Sequence, residues 1–187
     1  MNTQVLDGGF ADPAPHAARA FRAVMEAMAR PGTIHSLTGA TPPAPLSVAA
    51  AVAILTLCDT DTPVFLAGDM DTPNVRAWIA FHTGAPFSGP ATCAFALGRW
   101  GDLGPLSAYP IGSEDYPDRS ATLIVAMDAL DHSGQTLRGP GIQGTARLSL
   151  PEVAAFQANH AHFPCGLDFL FTCDDRIAGL PRSTEVS

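Results

Sequence analysis

Along the chain, segments in which apolar residues recur at helical spacing alternate with segments in which they recur at strand spacing. A helix is predicted over residues 15–29, because apolar side chains return there every three or four positions. Its apolar stripe consists of Phe21, Val24, Met25 and Met28. Pro31-Gly32 is expected to end this helix and turn the chain. The alternation in residues 33–37 then predicts a short strand.

Two more helices and two more strands are predicted before residue 98. The expected elements are a helix over 48–58, a strand over 63–67, a helix over 73–84 and a strand over 91–97. Ser47 and Thr72 are good N-cap residues, Pro73 suits a first helical turn and Gly84 suits a helix end. The helix over 48–58 is apolar nearly all round, so we expect it to be buried.

The second half of the chain begins with an irregular stretch, residues 98–120, which predicts a long surface loop containing a short helix. The expected elements after it are a strand over 122–127, two strands within 133–150, a helix over 151–162, and a closing strand pair over 167–173 and 177–180. Alternating strands and helices favour a three-layer α/β/α fold, and the late hairpins favour a mixed sheet. We expect one domain over 1–187, with an extended arm (1–13) and a C-terminal tail (183–187).

The composition of the chain indicates that other proteins bind to its surface. Charged residues make up only 15% of the chain, against the usual quarter, while hydrophobic residues make up 47%. Either a partner covers part of the exterior, or alanine inflates the hydrophobic share; the depletion of charge favours a partner. The net charge of −8 disfavours binding to nucleic acid.

The chain contains no lysine, because all ten basic residues are arginine. It therefore has no side chain that could form a Schiff base with pyridoxal phosphate, and it has no P-loop lysine. We expect no cofactor. Four cysteines without a Cys-x-x-Cys pair do not make a disulfide framework. The start of the chain lacks a secretory pattern and the longest apolar run, 46–58, is too short to span a bilayer, so a cytoplasmic location away from membranes is expected.

Three places are candidates for binding an anion. His82 either caps the C-terminus of its helix or contacts a ligand. The glycines Gly139 and Gly141 beside Arg138 either cradle an anion such as phosphate or make a plain turn. Arg182 either forms ion pairs or binds phosphate or phosphonate oxygens.

Metal binding and cysteine catalysis are weaker possibilities. His160, His162, Cys165 and Asp168 are residue types that bind zinc, but their spacing matches no strong zinc pattern, so no metal is expected. Cys165 could act as a nucleophile only with a base beside it, and a structural thiol is the favoured interpretation.

Several segments together carry a resemblance to a known family. They read FRAVMEAMARPG (21–32), LTLCDTDTPV (55–64), FHTGAP (81–86), ATLI (121–124), LRGPGI (137–142), FPCGLD (163–168), TC (172–173) and LPRST (180–184). In this order they resemble the PhnH family, the H subunit of the bacterial carbon–phosphorus lyase system. Each segment is weak alone, but the ordered set is specific.

The resemblance implies a fold like the large domain of pyridoxal-phosphate-dependent transferases, without pyridoxal phosphate. It implies a homodimer that joins the G, I and J subunits in a core complex. Together with the I, G and L proteins, this subunit would support formation of ribose 1-phosphonate 5-triphosphate from a nucleoside triphosphate and a phosphonate, in organic phosphonate catabolism. The family supplies no catalytic residue that can be assigned here.

Three functions follow from these observations. The favoured one is an accessory subunit of the phosphonate pathway. The alternatives are a stand-alone metal-assisted hydrolase using His160, His162 or Asp168, and a binding module for a phosphonate or nucleotide using His82, Arg138 and Arg182.

Overall fold

Helices and strands alternate in the computed structural model, which describes residues 6–187. The helices are α1 (Pro13–Ala29), α2 (Val48–Leu57), α3 (Pro73–Thr83) and α4 (Val153–His160). The strands are β1 (His35–Ser36), β2 (Val64–Leu66), β3 (Phe95–Arg99), β4 (Thr122–Ala126), β5 (Gln135–Arg138), β6 (Ala146–Leu148), β7 (Asp168–Cys173), β8 (Arg176–Leu180) and β9 (Glu185–Val186). The irregular stretch 98–120 contains two short 3₁₀ turns, Trp100–Asp102 and Leu106–Ala108.

A six-stranded sheet in the order β1-β8-β7-β4-β3-β2 forms the centre of the fold. Strands β2, β3, β4 and β7 are parallel, whereas β8 is antiparallel to β7 and β1 is antiparallel to β8. The prediction of a mixed sheet is therefore confirmed. The antiparallel part arises because the turn at Asp174-Asp175 returns the chain directly beside β7.

Both faces of this sheet are apolar and both are covered. On one face, side chains such as Leu97, Ile124 and Leu170 pack in one hydrophobic cluster with α1, α2 and α3. On the other face, Leu123 and Phe169 belong to a second cluster that includes α4 and the strands β5, β6 and β9. Strands buried on both faces are typical of parallel sheets, and they explain the near-continuous apolar runs in the sequence.

The second face is covered partly by a small separate sheet in the order β6-β5-β9. The two strands predicted within 133–150 are present, but they lie in this sheet and not in the central one. The segment 183–187, predicted to be a tail, contains β9, which pairs with β5 and buries Val186. Two residues of β9 are too few to produce a strand pattern in the sequence, so pairing with β5 decided the outcome.

The helix ends follow the sequence signals. The Ser47 hydroxyl accepts a hydrogen bond from the amide of Ala50 at 3.2 Å, and the Thr72 hydroxyl accepts one from the amide of Val75 at 3.2 Å. Gly84 ends α3 with φ of 70°. Helix α1 begins at Pro13, two residues earlier than predicted.

Helix α2 is buried along most of its length, as its apolar sequence predicted, and residues 49–54 have almost no exposed surface. Its ten residues pack between the neighbouring helices and the central sheet. Across residues 6–187, no helix combines the length and the apolarity needed to cross a membrane.

Helix α1 does not bury the whole stripe that the sequence predicted. Its buried residues are Ala20, Val24 and Ala27. Phe21 and Met25, one turn apart, are 48% and 54% exposed. The small alanines let the helix approach the sheet closely, and the two large apolar side chains are left on the outer side.

Close packing of α1 against β8 requires a glycine at position 179. A Cβ atom there would lie 2.7 Å from the carbonyl oxygen of Ala27 and 2.8 Å from the sulfur of Met28. Because the nearest atom is backbone, the contact cannot be relieved by a change of rotamer.

Gly179→Ala is therefore expected to lower the free energy of unfolding by about 2 kcal/mol, since it overpacks the core. Urea denaturation followed by circular dichroism measures the change. Gly101→Ala is the control, because a Cβ atom at Gly101 meets nothing within 4 Å. Equal stability of the two variants would contradict the close α1–β8 contact.

Candidate functional site

The glycine-rich turn after Arg138 packs against neighbouring backbone. A Cβ atom on Gly141, whose φ is +80°, would lie 1.8 Å from the carbonyl oxygen of Ala29 at the end of α1. A Cβ atom on Gly139 would lie 3.0 Å from the carbonyl oxygen of Ser183. These approaches explain the glycines as parts of a tight turn. Arg138 itself is exposed at the end of β5, opposite Glu185 in the ladder.

His82 lies on the other side of the central sheet. It stands on α3, its ring 4.8 Å from that of Trp78 and 5.0 Å from that of Phe81, measured between centroids. The N-terminal segment covers it, because a Cβ atom on Gly9 would lie 2.4 Å from its Cε1 atom. Within residues 6–187 its buried Nε2 atom has no hydrogen-bond partner.

The structure therefore does not bring His82 together with Arg138. Helix α3 packs in the cluster on one face of the sheet, whereas β5 packs in the cluster on the opposite face. Arg138 and Gly139 do lie beside the C-terminal segment that carries Arg182, whereas Gly141 lies against the end of α1. The sequence could not reveal that His82 and Arg138 lie on opposite faces of the sheet, because a local pattern does not show which face a helix or strand will cover.

Arg182 is held in a half-buried polar network. Its Nε atom donates to Asp168 Oδ1 at 3.1 Å and its Nη2 atom donates to Asp168 Oδ2 at 2.5 Å. Further bonds run to the carbonyl of Pro117 at 2.6 Å and to the hydroxyl of Ser120. The two charged side chains are only 13% and 20% exposed. The ion-pair interpretation of Arg182 is thus confirmed, and its charge is already balanced by a carboxylate.

A second charged group lies at the carboxyl ends of the parallel strands. Arg99, the last residue of β3, donates to Asp128 after β4 at 2.9 Å and to Asp69 after β2 at 3.1 Å. Hydrogen bonds to Asp128 first and to Asp69 second raise the pKa of Arg99. Open α/β sheets usually bind ligands at this edge. Here the charged side chains at this edge are exposed to solvent and are paired with one another.

The residues suggested for metal binding are engaged separately. His160 Nδ1 lies 2.9 Å from the carbonyl oxygen of Arg182, and Asp168 is paired with the Arg182 guanidinium. His162 is exposed. In the part of the chain from residue 6 onward, no three histidine, cysteine or acidic side chains are grouped so that they could hold a metal ion.

Three of the four cysteines are buried thiols, namely Cys58, Cys93 and Cys173. Burial raises the pKa of Cys58 to about 12 and the pKa of Cys93 to about 11. Cys165 is partly exposed, and no hydrogen bond joins it to a histidine among the described residues. This arrangement fits structural thiols, because a nucleophilic cysteine requires a lowered pKa.

One large cleft opens between α4 and the segment 100–111, with a volume of about 770 Å³. Its walls include Trp100, Leu106, Tyr109, Ile111, Ala155 and Ala158. Sequence reasoning assigned 98–120 to a surface loop and missed this cleft. The available signal was the presence of Trp100 and Tyr109, two of the three aromatic residues in a stretch rich in glycine, proline and polar residues.

Comparison with known proteins places the whole fold in one family. The family model described as "Bacterial phosphonate metabolism protein (PhnH)" matches residues 8–187. A curated relative from Rhizobium meliloti (strain 1021) is 42% identical over 194 residues, covering 98% of this chain and 96% of its own. That relative is named "Alpha-D-ribose 1-methylphosphonate 5-triphosphate synthase subunit PhnH". The match extends over both sheets and all four helices.

Removal of the Arg182 side chain should destabilise the fold. Arg182→Ala leaves the Asp168 carboxylate half-buried without its partner, which is expected to cost about 3 kcal/mol of unfolding free energy. Chemical denaturation measures the loss. Arg30→Ala is the control, because its pair with Glu26 is exposed and contributes less than about 0.5 kcal/mol. A loss as small as that of the control would show that the network is not a stabilising one.

Thiol chemistry should separate Cys165 from the other cysteines. At pH 8 a disulfide reagent such as DTNB is expected to modify one thiol quickly and the buried thiols at least about 100-fold more slowly, since the thiolate is the reactive form. Cys165→Ser should remove the fast phase, and Cys93→Ser should leave it intact. Persistence of the fast phase in Cys165→Ser would place the reactive thiol elsewhere.

Proposed function

Because this chain belongs to the PhnH family of bacterial phosphonate metabolism proteins, we propose that it is a subunit of an alpha-D-ribose 1-methylphosphonate 5-triphosphate synthase. In this role it supports the formation of ribose 1-phosphonate 5-triphosphate from a nucleoside triphosphate and a phosphonate, as part of carbon–phosphorus lyase catabolism. The observation that carries the proposal is the 42% identity with a protein of that name, over nearly the full length of both chains.

The contribution of this subunit is accessory. The ionisable groups are arranged as ion pairs and buried thiols: Arg182 is balanced by Asp168, Arg99 by Asp69 and Asp128, and burial raises the pKa of Cys58 and Cys93. Such groups stabilise a fold and present a surface to neighbours. The chemical step then belongs to other subunits of the assembly.

The partners proposed are a second copy of the chain and the G, I and J subunits of the core complex. Two observations support binding to other proteins. Only 15% of the residues are charged, and α1 carries Phe21 and Met25 exposed on its outer side, one turn apart. Large apolar side chains are enriched, and charges are depleted, at the centres of interfaces.

We propose one domain over residues 1–187, with residues 1–13 as an arm, and an architecture related to the large domain of pyridoxal-phosphate-dependent transferases without that cofactor. Residues 1–5 of the arm lie outside the described part of the chain. The absence of lysine from the sequence agrees with a role that forms no aldimine. The location proposed is the cytoplasm.

Disruption of the outer side of α1 should weaken assembly. Phe21→Asp with Met25→Asp is expected to reduce co-purification with the G, I and J proteins by at least about tenfold, because charged residues are costly at an interface core. Pull-down from cells that express all four proteins measures the effect. The variant should retain the circular dichroism spectrum of the native chain, since both side chains are exposed.

The matched control is Asn74→Asp with Ala77→Asp on α3, which introduces the same charge at two exposed helical positions. It should assemble normally. Normal assembly of the α1 variant would move the interface to another surface. If the native chain itself failed to associate with the other subunits, the proposed function would be wrong.

Anion binding at Arg138, Gly139 and Gly141 stays a prediction. Of the two arginines that are candidates for anion binding, Arg138 is exposed, whereas Arg182 is engaged with Asp168. If Arg138 binds a phosphonate, Arg138→Ala should abolish growth on methylphosphonate as the phosphorus source while the complex still co-purifies. Normal growth of this variant would remove the turn from consideration.

A further inference from the structure

The cleft between α4 and the segment 100–111 has the features of a small-molecule site. Its volume of about 770 Å³ lies within the range of known ligand pockets, roughly 300–1,000 Å³. Apolar groups form most of its walls, and a small number of polar groups converge on it, namely Ser107, Tyr109, Glu152, Asn159 and His162. No residue suggested for anion binding lines it.

The indole of Trp100 is fixed as one wall of this cleft. Its Nε1 atom donates a hydrogen bond to Glu152 Oε2 at 3.0 Å, which ties the segment 100–111 to the start of α4. The indole also packs on Phe156, with ring centroids 4.9 Å apart. A rigid aromatic ring at the edge of a cleft is a surface on which another planar ring can stack.

Tyr109 places a phenol, which can donate a hydrogen bond, in the lining of the cleft. The residue is only 6% exposed and lines the cleft. Burial, followed by the neighbouring Cys93, raises the pKa of Tyr109 to about 12, so the phenol keeps its proton at neutral pH.

The charges around the cleft exclude an anionic ligand. Of the lining residues described, Glu152 carries a negative charge and none is an arginine, while the chain contains no lysine at all. A phosphate or phosphonate would thus meet the Glu152 carboxylate and no arginine or lysine. Glu152 can instead accept a hydrogen bond from an amino group.

We propose that this cleft binds an uncharged planar heteroaromatic compound that bears an amino group, of the size of a purine nucleoside, stacked on Trp100. The ring would lie between the indole and the alanine face of α4, formed by Ala155 and Ala158. Tyr109 and Ser107 provide donors for ring nitrogens, and Glu152 accepts from the amino group. Binding of this kind needs no partner subunit, so its failure would leave the proposed subunit role intact.

Calorimetric titration of the isolated chain with adenosine tests the proposal, and AMP serves as the matched anionic compound. Adenosine should bind saturably with a Kd below about 1 mM, and AMP should bind at least about tenfold more weakly because of Glu152. Fluorescence of Trp100 should be quenched in parallel, since the other tryptophan, Trp78, is fully buried away from the cleft. No saturable adenosine binding, or equal affinity for AMP, would overturn the proposal.

A pair of variants tests the location of the site. Ala158→Phe places a ring in the cleft and should weaken adenosine binding at least about tenfold by steric exclusion. Ala154→Phe is the control, because Ala154 is exposed on the same helix and does not line the cleft; its affinity should stay within about twofold of the native value. Unchanged binding in Ala158→Phe, measured on protein with native circular dichroism, would refute the assigned site.

Discussion

The structure depends on the burial of both faces of the parallel part of the central sheet. Strands β3, β4 and β7 carry apolar side chains on both sides, and the hydrophobic effect makes exposure of either face unfavourable. One face receives three helices, and the close contact of α1 with β8 at Gly179 sets how near they lie. The other face receives only α4, a three-stranded sheet and an irregular segment. The rest of the architecture follows from the difference between the layers that pack on these two faces.

The difference between the two faces of the sheet explains where the Arg182–Asp168 network and the cleft occur. On the helical face, residues 49–54 of α2 are enclosed, and an opening of about 610 Å³ lies at the start of this helix, beside Asp174 and Asp175. On the second face, the network of Arg182, Asp168 and Ser120 holds the closing segment to the end of the irregular stretch. The large cleft lies between that stretch and α4, where regular packing is absent. The second face, which is covered by a single helix and a small sheet, thus contains both the anchored C-terminal segment and the cleft.

Membership of the PhnH family and the physical chemistry of the chain point in the same direction. The similarity to the Rhizobium subunit extends over the whole fold, so it concerns the complete domain and not a single motif. The arginines at positions 99 and 182 are used for internal ion pairs, and the buried thiols have raised pKa values. The proposed accessory role, in which the protein contributes surfaces to an assembly, agrees with this organisation and with the low charge content.

The sequence by itself determined the type and order of the helices and of the strands before β9, because local signals such as the caps Ser47 and Thr72 and the apolar periodicity act over a few residues. It also determined the family, through motifs in a fixed order, and the lack of an aldimine-forming lysine. Only the tertiary structure decided that β5 and β6 form a second sheet, that His82 and Arg138 lie on opposite sides, and that Trp100 and Tyr109 line a cleft. These outcomes depend on contacts between residues far apart in the chain, and no local pattern records which distant partner a segment will meet.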